Sequence, residues 1–407
     1  MKQLFRININ LLCLLGLFAM TPLSAWALTA SNTQIVNSAS MSYNDGTGVK
    51  TANALPVTVT VTLVPGQPTV SKGPDQSTPY ASANTPLTNT FTIIASNTNG
   101  PDTYTLTPAI TATLNATGSS VALASPASPV LLGATVTLSG STATVLNVPA
   151  DGNAGDSQVN GIAVGDWIVV NGDTANPRQV SAVSDNATGS STITVAPALA
   201  AGAPAAGQLV AEQKTVTVTV LSGTITTAGQ SISITKHLTI TSITDVTKTA
   251  VTTDITDTYT SGLATLTKYV RNVTAVPTMA GTGTKYTYGG IDYWPSGITA
   301  KPGEVLEYIL VANNSGTGIV SAAAITDTLP TTYVTLKTGA YAGAKDFTYF
   351  NESGTPSYLT AGAGDDAATY AAPTLTINVG TGATSGAGGN IASSATVRAL
   401  YQVTVNP

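Results

Sequence analysis

The feature that most constrains this chain is an alternation of period two. Val or Ile alternates with Thr or Ser in Val57-Thr58-Val59-Thr60-Val61-Thr62, in Thr215-Val216-Thr217-Val218-Thr219-Val220 and again in Tyr401-Gln402-Val403-Thr404-Val405. Successive side chains of a strand leave on opposite faces, so these runs read as half-buried strands with β-branched residues toward a core and hydroxyls toward water or a second protein. Beyond the N-terminal segment no stretch carries the period of an amphipathic helix. The expected fold class is all-β: tandem immunoglobulin-like β-sandwiches, with a small inserted β-barrel and an N-terminal β-hairpin.

The N-terminus carries Lys2 and Arg6, an apolar run from Leu11 to Met20, then Pro22 and Ala25-Trp26-Ala27. That order is a secretory signal peptide over residues 1–27, with an apolar run shorter than the roughly 20 residues of a membrane span. The expected location is secreted, extracellular or at a cell surface. Cys13 is the only cysteine and lies inside that segment. A processed chain then has no thiol for disulfides, nucleophilic catalysis or metal ligation, so stability must come from packing. Charged residues make up 9% of the chain and its formal net charge is −5. The basic residues are scattered singly, which disfavours nucleic acid as a partner. Hydrophobic residues at 43% argue against a disordered chain.

Turn residues divide the chain. Thr33 to Tyr43 alternates, and Asn44-Asp45-Gly46-Thr47-Gly48 supplies residues that tolerate positive φ. This predicts a hairpin with the strand Leu55 to Val64, within an N-terminal element over residues 28–64. Pro65-Gly66-Gln67-Pro68 marks its end. A sandwich is expected over 65–245, with strands at Asn89–Ala95, Thr103–Thr107, Thr215–Leu221 and Ser231–Ile240. Short strands at Trp167–Val170, Arg178–Val183 and Ser191–Val195 suggest a small barrel inserted at about 155–210. A second sandwich is expected over 246–407.

Within that last region three segments are distinctive. They are Leu266-Thr267-Lys268, then Lys301-Pro302-Gly303-Glu304 continuing through Tyr308-Ile309-Leu310 to Asn313-Asn314-Ser315-Gly316, then Ile325-Thr326-Asp327-Thr328-Leu329-Pro330. Over about residues 266–406 the chain resembles the conserved-repeat family of prokaryotic surface proteins, catalogued as domain of unknown function eleven. The resemblance implies an immunoglobulin-like β-sandwich used in surface or extracellular structures, and implies no particular chemistry. The chain departs from the family pattern by an insertion, Tyr269 to Thr299.

Candidate sites are few. His237 is the only histidine. No Gly-x-Ser-x-Gly elbow or His-Glu-x-x-His motif accompanies it, so a strand histidine without catalytic role is expected. The acid pairs Asp254/Asp257, Glu304/Glu307 and Asp365/Asp366 could support glycoside hydrolysis only if they face each other across a cleft. Asp151-Gly152-Asn153-Ala154-Gly155-Asp156 offers alternating oxygen ligands but no distal Glu, so an Asx-rich turn is expected in place of a calcium site. No catalytic residue, metal site or cofactor is assigned. Tyr286, Tyr288, Tyr293 and Trp294 cluster around Gly289-Gly290, where they either form an interface or sugar-stacking surface or cover a neighbouring strand. A chain without disulfides can also be stapled by a Lys–Asn isopeptide bond. Lys268 and Asn406, on the first and last strands of the second sandwich, are the expected pair, with Glu307 or Asp327 as the acid.

The expected function is non-enzymatic: a structural subunit of an extracellular filament or surface layer that assembles by adding a β-strand to its neighbour. The assembly strand would present Ile35, Asn37, Ala39, Met41 and Tyr43. The expected partner is the chain itself as a homopolymer, with other surface proteins or glycans as further partners. The alternative is a monomeric adhesin or stalk module that binds glycans or host surfaces through the aromatic loop and the inserted barrel.

Overall fold

The structure is a computed structural model that describes residues 29–275 and 278–407, so the expected signal peptide at 1–27 lies outside the described residues. Those residues form strands joined by turns, and none of them forms a helix long and apolar enough to cross a membrane.

The first sandwich packs two sheets face to face. One carries Thr69–Lys72, Pro86–Ile94 and the C-terminal half of Leu209–Leu221; the other carries Val130–Leu132, Asp102–Leu114, Ile232–Ser242, Ile255–Thr260 and Gln76–Pro79. The alternation seen in the sequence sets the inward face. Phe91, Ile93, Val216 and Val218 from one sheet meet Tyr104, Leu106, Leu238, Ile240 and Ile255 from the other in one buried cluster. Ile255–Thr260 pairs with Ile232–Ser242, which moves the end of this sandwich past residue 245 to about residue 260. The expected boundary at 245 falls within a turn internal to the sandwich, closed by Ser242 N–H donating to Lys248 C=O at 3.1 Å.

The inserted module is continuous with that sandwich. Leu209–Leu221 pairs with Trp167–Val170 and Ala134–Val136 near its start and with Pro86–Ile94 and Ser120–Ser125 further on. From Trp167–Val170 the sheet continues through Arg178–Ser184 and Ser190–Ala196 to Val145–Pro149. It curls back when Leu138 N–H donates to Asn147 C=O at 2.7 Å. Its own core includes Leu146, Val148, Ile162, Ile168, Val180, Ile193 and Val210. The module therefore begins near residue 134, earlier than the expected 155.

The second sandwich pairs Ala264–Asn272, Val305–Asn314, Thr396–Val405, Phe347–Phe350 and Pro356–Leu359 in one sheet; the other holds Ala368–Ala371, Thr374–Asn378, Val320–Thr328 and Gly389–Ile391. Leu310, Ala312, Val397, Ala399 and Tyr401 face Ile325, Leu375 and Ile377 in its core. Val305–Asn314 is buried on both faces, because Ile309 and Val311 pack on the opposite side beside Leu400 of the neighbouring strand and against Tyr293. The insertion 269–299 supplies that second cover through the hairpin Tyr286–Tyr288/Ile291–Tyr293.

The two sandwiches meet at a glycine joint. Thr317 N–H donates to Gly229 C=O and Gly318 N–H to Ser261 C=O, both at 2.9 Å. A Cβ on Gly316 would lie 2.4 Å from Leu263 N and Ser261 O, so only glycine permits this approach.

Candidate functional site

The N-terminal element is a two-stranded ribbon that stands off the first sandwich. Gln34–Asn37 pairs with Val57–Thr60 and Ser40–Asn44 with Val49–Asn53. Ala54 N–H donating to Ala39 C=O at 2.8 Å joins the two ladders. Asn44 and Asp45 fold the tip by accepting from Gly46 and Thr47 N–H, each at 2.9 Å, an Asx turn that the Asn-Asp-Gly sequence favours.

Every residue of the four ribbon strands is exposed. Directly opposed residues share a face. Ile35 lies opposite Val59, Asn37 opposite Val57, Met41 opposite Ala52 and Tyr43 opposite Lys50. Four of the five predicted assembly residues therefore form cross-strand pairs, while Ala39 lies between the two ladders; Ile35 is 52%, Met41 60%, Val57 65% and Val59 58% exposed. A lone two-stranded hairpin is marginal in water, and among the described residues nothing covers these apolar side chains.

Among the described residues, side-chain hydrogen bonds hold the ribbon to the first sandwich at its root. Asn99 is buried there; its Nδ2 donates to Thr29 C=O at 3.1 Å and Thr62 C=O at 3.0 Å, and its Oδ1 accepts from Val64 N–H at 2.7 Å. One asparagine thus pins both chain segments entering the ribbon.

The second sandwich has a partly open edge. Ala264–Asn272 is an edge strand whose inner side pairs with Val305–Asn314. Its outer side is bridged at Val270 by Trp294, in both directions at 2.9 Å. Between Ala264 and Lys268 no described strand pairs with that outer side, and all five residues are exposed, Leu266 among them.

The expected Lys268–Asn406 pair is not brought together. Lys268 Nζ lies 2.6 Å from Asp327 Oδ2 and 4.4 Å above the Tyr308 ring. Asn406 donates to Thr331 and Thr332 C=O at 3.1 and 3.2 Å and accepts from Thr335 Oγ1 at 2.8 Å. Lys268 pairs with Leu310 and Leu310 with Ala399, so Asn406 at the end of the last strand lies roughly 20 Å along it at ~3.3 Å per residue. Glu307 points to the sheet's other face. There it accepts from Tyr293 Oη at 2.9 Å, Tyr341 Oη at 3.1 Å and Gln402 Nε2 at 2.9 Å, and pairs with Arg271 at 2.6 Å.

The aromatic cluster covers a strand. Tyr293 is 1% exposed and packs in the outer cluster with Ile309, Val311 and Leu400, which removes it as an exposed interface ring. Tyr286 stacks on Tyr269 with ring centroids 5.3 Å apart, and Tyr288 meets Phe350 edge-on at 4.9 Å. Trp294 is half-buried and closes the edge strand at Val270.

The remaining acids serve turns or the core. His237 Nδ1 lies 3.5 Å from Asp254 Oδ1. Glu304 accepts from Asn272 Nδ2 and Lys301 N–H, both at 2.8 Å. Asp366 accepts from Thr360 N–H at 2.7 Å, and Asp365 accepts from the same threonine's hydroxyl. Asp151 accepts from Asn153 and Asn160 N–H at 3.1 and 2.8 Å, while Asp156 accepts from Gln158 N–H at 3.1 Å, so these carboxylates fold the loop on itself.

Asp257 is different. It is fully buried, its Oδ2 2.6 Å from Lys236 Nζ, which is also 0% exposed, and its Oδ1 accepts from Asn89 Nδ2 at 2.8 Å. This polar group lies in the core, between the Phe91/Leu238/Ile255 cluster and a smaller one of Val220, Ile232, Ile234 and Tyr259. The signal was present in the sequence: Lys236 shares strand parity with Ile234 and Leu238, and Asp257 with Ile255 and Tyr259.

No family model matches this chain, and no curated protein matches it. Similar solved structures include the C-terminal domain of the Streptococcus agalactiae AgI/II polypeptide BspA, at TM-score 0.29 and 10% identity over 83% of this chain and 92% of that one. The C-terminal domain of the Streptococcus pyogenes antigen I/II-family protein AspA matches at TM-score 0.29 and 10% identity over 84% and 91%. A likeness this loose bears on neither arrangement nor role.

Proposed function

We propose that this chain is a non-enzymatic structural subunit of an extracellular filament or surface layer, in which the ribbon of one copy docks on the Ala264–Lys268 edge of another. The observation that carries the reading is the ribbon itself, pinned by Asn99 at the root and exposed along every strand residue beyond. Added to a sheet edge, its free backbone donors and acceptors gain partners, and apolar side chains such as Ile35 and Val59 gain cover. Fully burying one such side chain contributes about 1.5–3 kcal/mol, so a few suffice for association. The ribbon's charges, Asp45 and Lys50, lie 3.9 Å apart and largely cancel, which favours a partner edge of low net charge, as Ala264–Lys268 provides with Lys268 paired to Asp327. The signal-peptide pattern at residues 1–27 supports export.

Cysteines placed in the ribbon and on the edge test the pairing, since the sole native cysteine is Cys13. The double variant Ser42→Cys/Thr265→Cys, mildly oxidised, is expected to give a ladder of disulfide-linked oligomers, and each single variant no more than a dimer. A double variant that stays monomeric while wild-type chain assembles would show that the ribbon docks elsewhere.

A further inference from the structure

Lys236, Asp257 and Asn89 meet between the two sheets of the first sandwich. Lys236 and Asp257 lie on adjacent strands of one sheet, and Asn89 reaches them from the strand Pro86–Ile94 of the other. All three are at most 1% exposed. The 2.6 Å approach of Nζ to Oδ2 lies off hydrogen-bond geometry, so among the described residues Lys236 Nζ, Asp257 Oδ2 and Asn89 Oδ1 have no hydrogen-bond partner. An ammonium with three donors, opposite Ile255 and between the buried Ile234 and Leu238 of its own strand face, is a costly core element even beside the Asp257 carboxylate.

We propose that Lys236 and Asn89 become joined by an intramolecular isopeptide bond, formed by the chain on itself with Asp257 carrying the protons. Burial pushes the Lys236 ammonium down from its usual range, although Asp257 opposes the shift. Transfer of one proton from Nζ to Asp257 leaves a neutral amine and a neutral acid in an apolar site. The amine lone pair attacks Cγ of Asn89, and the Nζ–Cγ bond forms while the acid hydrogen-bonds the carboxamide. The Cγ–Nδ2 bond then breaks as a second Nζ proton, relayed through Asp257, reaches Nδ2, which departs as ammonia. The three hydrogens of the ammonium end one on the new amide, one on ammonia and one on Asp257. No oxidant, metal or cofactor enters the balance.

The product ties the facing sheets across the core and encloses the whole inserted module in a covalent loop. It also replaces a buried ammonium by an amide, which is far less costly there.

Intact-mass measurement of the full chain purified after export tests this, followed by peptide mapping. The expected result is a mass lower than the processed sequence by one ammonia, with a branched peptide joining the segments that contain Asn89 and Lys236. Lys236→Arg and Asn89→Ala are expected at their full sequence masses, and Asp257→Asn is expected to leave both side chains unreacted. Because the wild-type mass alone decides the bond, a variant that misfolds does not blur the result. A wild-type chain at its full sequence mass overturns the proposal, and so does an ammonia loss that maps to any other residue. A bond that still forms in Asp257→Asn overturns the role given to Asp257.

Discussion

Tyr293 donates its hydroxyl to Glu307 Oε2 at 2.9 Å across the outer face of the second sandwich, which joins the 269–299 insertion to the strand Val305–Asn314 beneath it. Arg271, Tyr341 and Gln402 bond the same carboxylate. Replacing Glu307 by Leu strands the partly buried Arg271 charge and is expected to destabilise this sandwich by about 3–5 kcal/mol. Tyr293→Phe removes one bond and is expected to cost about 1–3 kcal/mol. Urea unfolding followed by tryptophan fluorescence reads both, and a Glu307→Leu effect no larger than that of Tyr293→Phe would count against the network.

Asn99 is expected to matter locally. Asn99→Ala removes the bonds to Thr29, Thr62 and Val64, about 1 kcal/mol each, without touching either sandwich core. Hydrogen exchange at Val61 and Val64 should speed up by at least tenfold while core strands such as Ile232–Ser242 keep their protection. Uniform acceleration throughout the first sandwich would show that the ribbon root is not a separate unit.

Glu212 sets a pH dependence. It is fully buried where Leu209–Leu221 passes from sandwich to insert; its Oε2 accepts from Gly133 N–H at 2.6 Å and Lys214 pairs with its other oxygen. Burial pushes its carboxyl up from the ordinary 4.5, more than Gly133 and Lys214 pull it down. Between 4.5 and the raised native value the folded chain holds a proton that the unfolded chain has lost. The stability from this group is therefore fully present below about pH 4.5 and is lost as pH rises through the native value. Measured against Glu212→Gln, which cannot titrate, the wild type should gain relative stability on acidification from pH 7 to pH 4.5. A difference independent of pH contradicts this.

Gly316 is expected to be essential to the joint between the sandwiches. Gly316→Ala drives a methyl into Leu263 N and Ser261 O at 2.4 Å, so the backbone must separate at a cost of about 1–3 kcal/mol. Calorimetry should then show two unfolding transitions less coupled than in the wild type. An unchanged profile would place the joint elsewhere.

The strands were legible because β-branched residues alternate with hydroxyls wherever one face is buried, as in Thr215–Val220. Two kinds of feature were not. Short strands set among Gly, Ser and Pro, such as Val130–Leu132 and Val145–Pro149, carry too few residues to show a period, which shifted the insert boundary from 134 to 155. Partnership between distant residues is invisible to spacing. Lys268 and Asn406 sit on plausible strands but at unrelated heights, whereas Lys236, Asp257 and Asn89 share one level of the core. The hairpin Tyr286–Tyr293 read equally well as an exposed surface or as cover for a strand; only the packing of Tyr293 on Ile309 and Leu400 decides for cover.

Sedimentation of the purified chain over a range of concentrations, beside the double variant Ile35→Asp/Met41→Asp, tests the assembly most directly. Both side chains are more than half exposed, so the variant should keep the wild-type melting temperature within about 2 °C, as surface substitutions usually do. The wild type is expected to form oligomers that grow with concentration while the variant remains a monomer. A wild-type chain that is monomeric throughout, or a variant that assembles equally well, would contradict assembly through the ribbon.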